Sequence, residues 1–86
     1  GQRVACAGQG YASHAEYVSV PVNLCVAVPD SVALEHAAYV ALGAIAMQGV
    51  RQTCAGLSDC VAVIGLGLVG QIALRLLVAA GCVVLA

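Results

Sequence analysis

The sequence predicts an α/β fold: a β-rich first part, a linking helix, and then the opening βαβ unit of a parallel sheet. Three observations predict it. Cys60–Ile64 is a short β-branched apolar run, the pattern of a buried strand. Glycines at 65, 67 and 70 follow it at once, and Leu68–Ala80 then reads as a helix with Gly81 just past its end. Upstream, short apolar runs are separated by Gly and Pro at close spacing, as in small β-rich folds.

In chain order, residues 2–6, QRVAC, read as a strand and AGQGYAS as a loop. His14–Val20 sets Ala15, Tyr17 and Ser19 against Glu16, Val18 and Val20, the alternation of a strand with unequal faces. Pro21 stops it. Asn23–Pro29 is the next predicted strand, closed by Pro29-Asp30. From Leu34 to about Arg51 alanines are frequent and proline is absent, which predicts a helix. Glu35 in its first turn and Arg51 near its last suit the helix dipole, whereas Ala33 is a weak cap. Residues 54–59, CAGLSD, form the loop into the second half, and a further strand begins at Cys82. Two halves are expected to separate near residues 52–59.

Composition narrows the class. Hydrophobic residues make up 63% of the 86 and charged residues 8%, so near-continuous aliphatic strands buried on both faces are expected. A chain this short cannot hold a full doubly wound sheet plus a substrate-binding part, so an internal piece of a longer parent is expected. In isolation such a piece is expected to be inactive and poorly soluble. The net charge of −1 and the lack of a basic patch argue against nucleic acid. Residues 60–86 are long enough for a membrane span. Arg75 in their middle would cost about 2.5–3.5 kcal/mol there, and glycines interrupt the run, so no membrane insertion is expected. The five cysteines, Cys6, Cys25, Cys54, Cys60 and Cys82, are odd in number and form no C-x-x-C pair. They argue against a disulfide framework and for small buried hydrophobes in a reducing compartment. With no signal peptide in view, a cytoplasmic location is expected.

The chemistry lies in the glycine turn. A G-x-G-x-x-G pattern gains weight when it leaves a strand and opens a helix, as GLGLVG does here. Gly65 would let the chain turn out of the strand. Gly67, lacking Cβ, would let a pyrophosphate approach the backbone, and Gly70 would let the helix pack closely. The helix N-terminus would then offer the amides of Leu66, Leu68 and Val69 to the phosphates. The expected cofactor-binding set is Gly65, Leu66, Gly67, Leu68, Val69 and Gly70, with NAD or NADP as ligand. The acid that would receive the ribose hydroxyls is expected about 20 residues beyond the glycines, past Ala86, so the two dinucleotides stay equivalent here. A phosphate-only P-loop is excluded because no Lys-Ser/Thr follows.

These segments together resemble a known family. RVACAGQGYASHAEYVSVP, PDSVALEHAAYVALGAIAMQGV and VAVIGLGLVGQIALRLLVAAGC are similar, in this order, to three consecutive stretches of the medium-chain dehydrogenases/reductases, the alcohol dehydrogenase-like superfamily. The resemblance spans essentially the whole chain and is closest to bacterial zinc-binding dehydrogenases. It implies the end of a GroES-like catalytic domain over 1–35, a linking helix and loop over 36–59, and the start of a Rossmann domain over 60–86. It also implies a homo-oligomeric parent that transfers hydride between a nicotinamide and a small alcohol, carbonyl or activated alkene. The alternative is a dinucleotide-binding or degenerate module without catalysis. The chain departs from the zinc pattern: Ala41 or a neighbour stands where a ligand would be, and no Cys, His, Asp or Glu occurs between Tyr39 and Val50. That argues against a catalytic zinc, and no metal ligand is assigned.

Other chemistry-bearing residues receive plainer readings. His14 is expected to be a hydrogen-bonded strand-edge residue and His36 a solvated one. Tyr39 is expected to pack in a core. Cys54 and Cys60 have no His nearby to activate them. Ser58 and Asp59 suit a turn, and Arg75 should reach solvent along its stem. No catalytic acid or base can be named.

Overall fold

A computed structural model describes all residues from Gly1 to Ala86. The chain is a small mixed α/β structure with two short sheets and three α-helices. It divides into two compact units, Gly1–Ala41 and Leu42–Ala86.

The first unit is built on an antiparallel pair, β1 (Val4–Cys6) and β2 (Cys25–Ala27). Val4 faces Ala27, Ala5 faces Val26, and Cys6 faces Cys25. The ladder continues past both ends, with Ala7 N donating to Leu24 O and Val28 N to Arg3 O, each at 3.0 Å. Arg3 also donates from Nη2 to Val32 O at 2.5 Å, which ties the start of β1 to the turn after Pro29. A 3-10 turn at Val22–Leu24 leads into β2, so the strand expected from Asn23 begins two residues later. Helix α1 (Leu34–Ala37) follows, entered from Ala33 without a side-chain cap.

The strand expected over His14–Val20 does not form. His14–Tyr17 is a series of bends, and Tyr17 is 92% exposed. Alternation prepares a segment for pairing, but a strand exists only where another backbone accepts its amides and carbonyls. This segment finds none within the chain. The single helix expected from Leu34 to Arg51 is two helices, α1 and α2 (Val40–Thr53). At the break, Tyr39 N bonds back three residues to His36 O at 3.2 Å, a tight turn in place of the α-helical bond. Nothing in the local residue types explains the break.

The second unit contains β3 (Cys60–Ala62), α3 (Leu68–Ala79) and β4 (Val83–Leu85). The two strands are parallel, pairing Cys60 with Val83, Val61 with Val84 and Ala62 with Leu85. Bonds from Val83 N to Asp59 O and from Val63 N to Leu85 O, both 2.8 Å, extend the ladder. Helix α3 makes the crossover and packs on β4. The loop before β3 is closed by Asp59, whose Oδ2 accepts from Gly56 N at 2.8 Å, with Ser58 at φ +70°. Both residues make the turn that their types suit.

The C-terminal end of α3 shows how locally the sequence acts. Gly81 has φ +84°. Its N–H donates to Val78 O and that of Cys82 to Leu77 O, both at 3.0 Å, which satisfies carbonyls that the helix end would leave orphaned. Leu77 and Cys82, the residues flanking this Schellman arrangement, are both buried. A Cβ on Gly81 would lie 2.5 Å from Leu57 Cδ1 on a left-handed backbone. Gly81→Ala is therefore expected to destabilise the chain by about 1–2 kcal/mol, read as a lower urea midpoint.

Burial is sparser than the composition suggests. Only Val28, Ala46, Leu77 and Cys82 are buried, and in β3 and β4 only the middle residue is even half-covered. The expectation of strands buried on both faces is not met, because a two-stranded sheet crossed by one helix has little to cover it. The cysteines follow suit. Cys82 is buried, Cys6 and Cys25 are half-buried, and Cys54 and Cys60 are exposed, so uniform burial was the wrong expectation. No helix is long and apolar enough to cross a membrane.

Candidate functional site

The turn between β3 and α3 brings the expected set together. Val63 still holds the ladder, Ile64 is 99% exposed at the crest, and Gly65 reverses the chain at φ +96°. That is left-handed territory where a side chain is strained. Gly67 is the N-cap of α3, with φ −68° and ψ −176°. This is extended backbone open to any residue, and a Cβ there would meet nothing within 4 Å. Gly67 is thus required neither by backbone strain nor by packing, and its bare Cα faces open space. Gly70 is the opposite case. A Cβ on it would collide with the carbonyl oxygen of Gly65 and lie 3.1 Å from the carbonyl carbon, with Val63 Cγ1 at 3.8 Å. The close approach expected of the third glycine is therefore made to the turn's own carbonyl, with the strand end behind it.

The amides of this turn are free to bind. The first helical bond runs from Gln71 N to Gly67 O at 2.9 Å. Leu68 and Val69 therefore begin the helix with N–H groups that have no acceptor inside it, and Leu66 N donates to no backbone carbonyl. Ordinary helix caps use a Ser, Thr, Asp or Asn oxygen here, but no side-chain cap is present. The partial positive charge of the helix end favours an anion at this position. One contributor was not foreseen: Gln71 reaches back from the helix to donate from Nε2 to Leu66 O at 3.0 Å, bracing the turn. A polar residue directly after the last glycine, in an otherwise apolar stretch, was the signal for it.

Comparison with protein-family models, with characterised proteins and with solved structures finds no match to this chain.

The remaining candidates do not join the turn. His14 and His36 are exposed. The strand edge expected for His14 is absent, because its segment is unpaired. Tyr39, expected in a core, is 51% exposed, at the break between α1 and α2. Arg75 lies on the exposed side of α3. No three His, Cys, Asp or Glu side chains stand close enough to share a metal ion, so these residues do not fit a tetrahedral zinc site, which takes at least three protein ligands. Behind the turn, α2, β3 and α3 line an open apolar pocket of about 350 Å³, with residues such as Ile45, Ala46, Val61, Val69 and Leu77. Its lining carries no titratable side chain, so it offers no acid or base.

Proposed function

We propose that residues 60–86 are the opening βαβ unit of a Rossmann domain and that the glycine turn holds the pyrophosphate of NAD or NADP. On this reading residues 1–35 close a GroES-like catalytic domain and 36–59 link the two. The parent protein is then a medium-chain dehydrogenase/reductase. The observation that carries the proposal is the division of labour among the glycines. Gly65 is needed for its backbone angle and Gly70 for lack of room, but Gly67 is needed for neither. A glycine at a helix N-cap with open space before it suits a ligand that must reach the backbone.

The chain's own part in the reaction is to bind and orient. The amides of Leu66, Leu68 and Val69 would hold the pyrophosphate, and Gln71 would keep the Leu66 peptide in place. The nicotinamide, when bound, supplies or accepts the hydride for an alcohol, carbonyl or activated alkene. No acid, base or zinc ligand is assigned among these residues. The test is a titration of the polypeptide carrying this segment with NADH and NADPH, followed by cofactor fluorescence. Saturable binding that ADP competes away is the expected outcome, and no binding of either dinucleotide would defeat the reading.

A further inference from the structure

The antiparallel pair of the first unit sets two thiols face to face. Cys6 and Cys25 are direct partners in the β1–β2 register, and their Sγ atoms are 3.5 Å apart. The bonds from Ala7 N to Leu24 O and from Val28 N to Arg3 O fix which kind of partners they are. They place Cys6 and Cys25 at a non-hydrogen-bonded position, where opposed residues come closest, at about 4.5 Å between Cα atoms. That is near the short end of the range of about 4.4–6.8 Å that a disulfide can span. Both residues are half-buried, within reach of a small reagent. The other three cysteines have no such partner: Cys54 and Cys82 donate to the carbonyls of Arg51 and Gly56, and Cys60 is exposed on β3.

We propose that Cys6 and Cys25 are a redox-modification site that closes to a reversible cross-strand disulfide with a small-molecule disulfide as oxidant. The exchange balances in two steps. The thiolate of one cysteine attacks the oxidant RSSR, forming a mixed disulfide and releasing RS⁻. The partner thiol gives up its proton and its sulfur attacks the first cysteine's Sγ, closing the protein disulfide and releasing the second RS⁻. The sum is two protein thiols plus RSSR giving one protein disulfide plus two RSH. The sulfurs need only approach by a small side-chain rotation, since the strands already hold the register. The Cys25 thiol is held above its ordinary pKa, first by its hydrogen bond with Cys6, then by desolvation and by the charge of Cys6. The two sulfurs therefore do not confront each other as a pair of anions before reaction. The same exchange run backwards, with an excess of small thiol, reopens the bond. The proposal does not depend on dinucleotide binding.

The test equilibrates the full chain in oxidised and reduced glutathione, blocks the remaining thiols with an alkylating reagent and maps the peptides by mass spectrometry. The expected result is a Cys6–Cys25 crosslink as the dominant oxidised species, lost on adding dithiothreitol. It should be about tenfold or more abundant in buffer than in concentrated urea, because the fold supplies the proximity. Cys25→Ser should leave glutathione on Cys6, whereas Cys60→Ser should leave the crosslink unchanged. A crosslink equally abundant in urea, or oxidation that falls mainly on Cys54 and Cys60 while Cys6 and Cys25 stay reduced, overturns the proposal.

Discussion

Gly70→Ala is expected to cost about 3 kcal/mol or more, at or beyond the upper end of ordinary overpacking. The Cβ would overlap the carbonyl oxygen of Gly65, which is backbone and cannot rotate aside. Relief would require moving the start of α3 away from the turn, and Gln71 N and Nε2 both bond into that turn, at Gly67 O and Leu66 O. Set against the 5–15 kcal/mol typical of whole domains, a loss of this size approaches unfolding. Gly43→Ala supplies the control. Gly43 lies inside α2 with nothing within 4 Å of an added Cβ, so alanine there should stabilise by about 0.5–1 kcal/mol. Urea midpoints of the two variants should move in opposite directions. A Gly70→Ala chain as stable as the parent would mean that the close approach to Gly65 is not real.

Gly67→Ala should separate binding from folding. The backbone at Gly67 accepts a side chain and a Cβ would touch no protein atom. Glycine is a better N-cap than alanine, so the fold should lose at most about 1 kcal/mol. The methyl group would nevertheless occupy the open space beside the Gly67 backbone, where the pyrophosphate is proposed to approach. Dinucleotide affinity is expected to fall about tenfold or more, at least about 1.4 kcal/mol, with the melting behaviour nearly unchanged. Fluorescence titration and a thermal melt on the same preparation read both quantities. Unchanged affinity would show that the open side of Gly67 is not where the ligand lies.

Much of the second unit was legible in the sequence because its signals are local. The break out of β3 at Gly65 and the cap at Gly81 each follow from the backbone freedom of a single glycine, and the helix start at Leu68 from the proline-free apolar run that follows. The observed α3 ends at Ala79, one residue from the expected end. What needed distant partners was not legible. The alternation of His14–Val20 was real but found no strand to join. The burial of the cysteines depended on how many layers cover each sheet, which composition does not report. The Cys6–Cys25 pairing depended on the register of two strands separated by a long irregular loop. At the glycine turn the spacing gave separate expectations for Gly67 and Gly70, but that Gly70 lies against the Gly65 carbonyl needed the structure.

The uncapped start of α3 also has a thermodynamic side. Glycine gives up more conformational freedom on folding than any other residue, and this turn contains three of them. A capping side chain would offset part of that entropy within the chain itself, and none is present. An anion held by these amides in the folded chain, and not by the unfolded one, would do so from outside. The folding equilibrium would then follow mass action, with stability rising as RT ln(1 + [L]/Kd), or about 2.7 kcal/mol at a hundredfold excess of ligand over Kd. With such a ligand, the bare helix end would make its concentration a variable of folding as well as of binding.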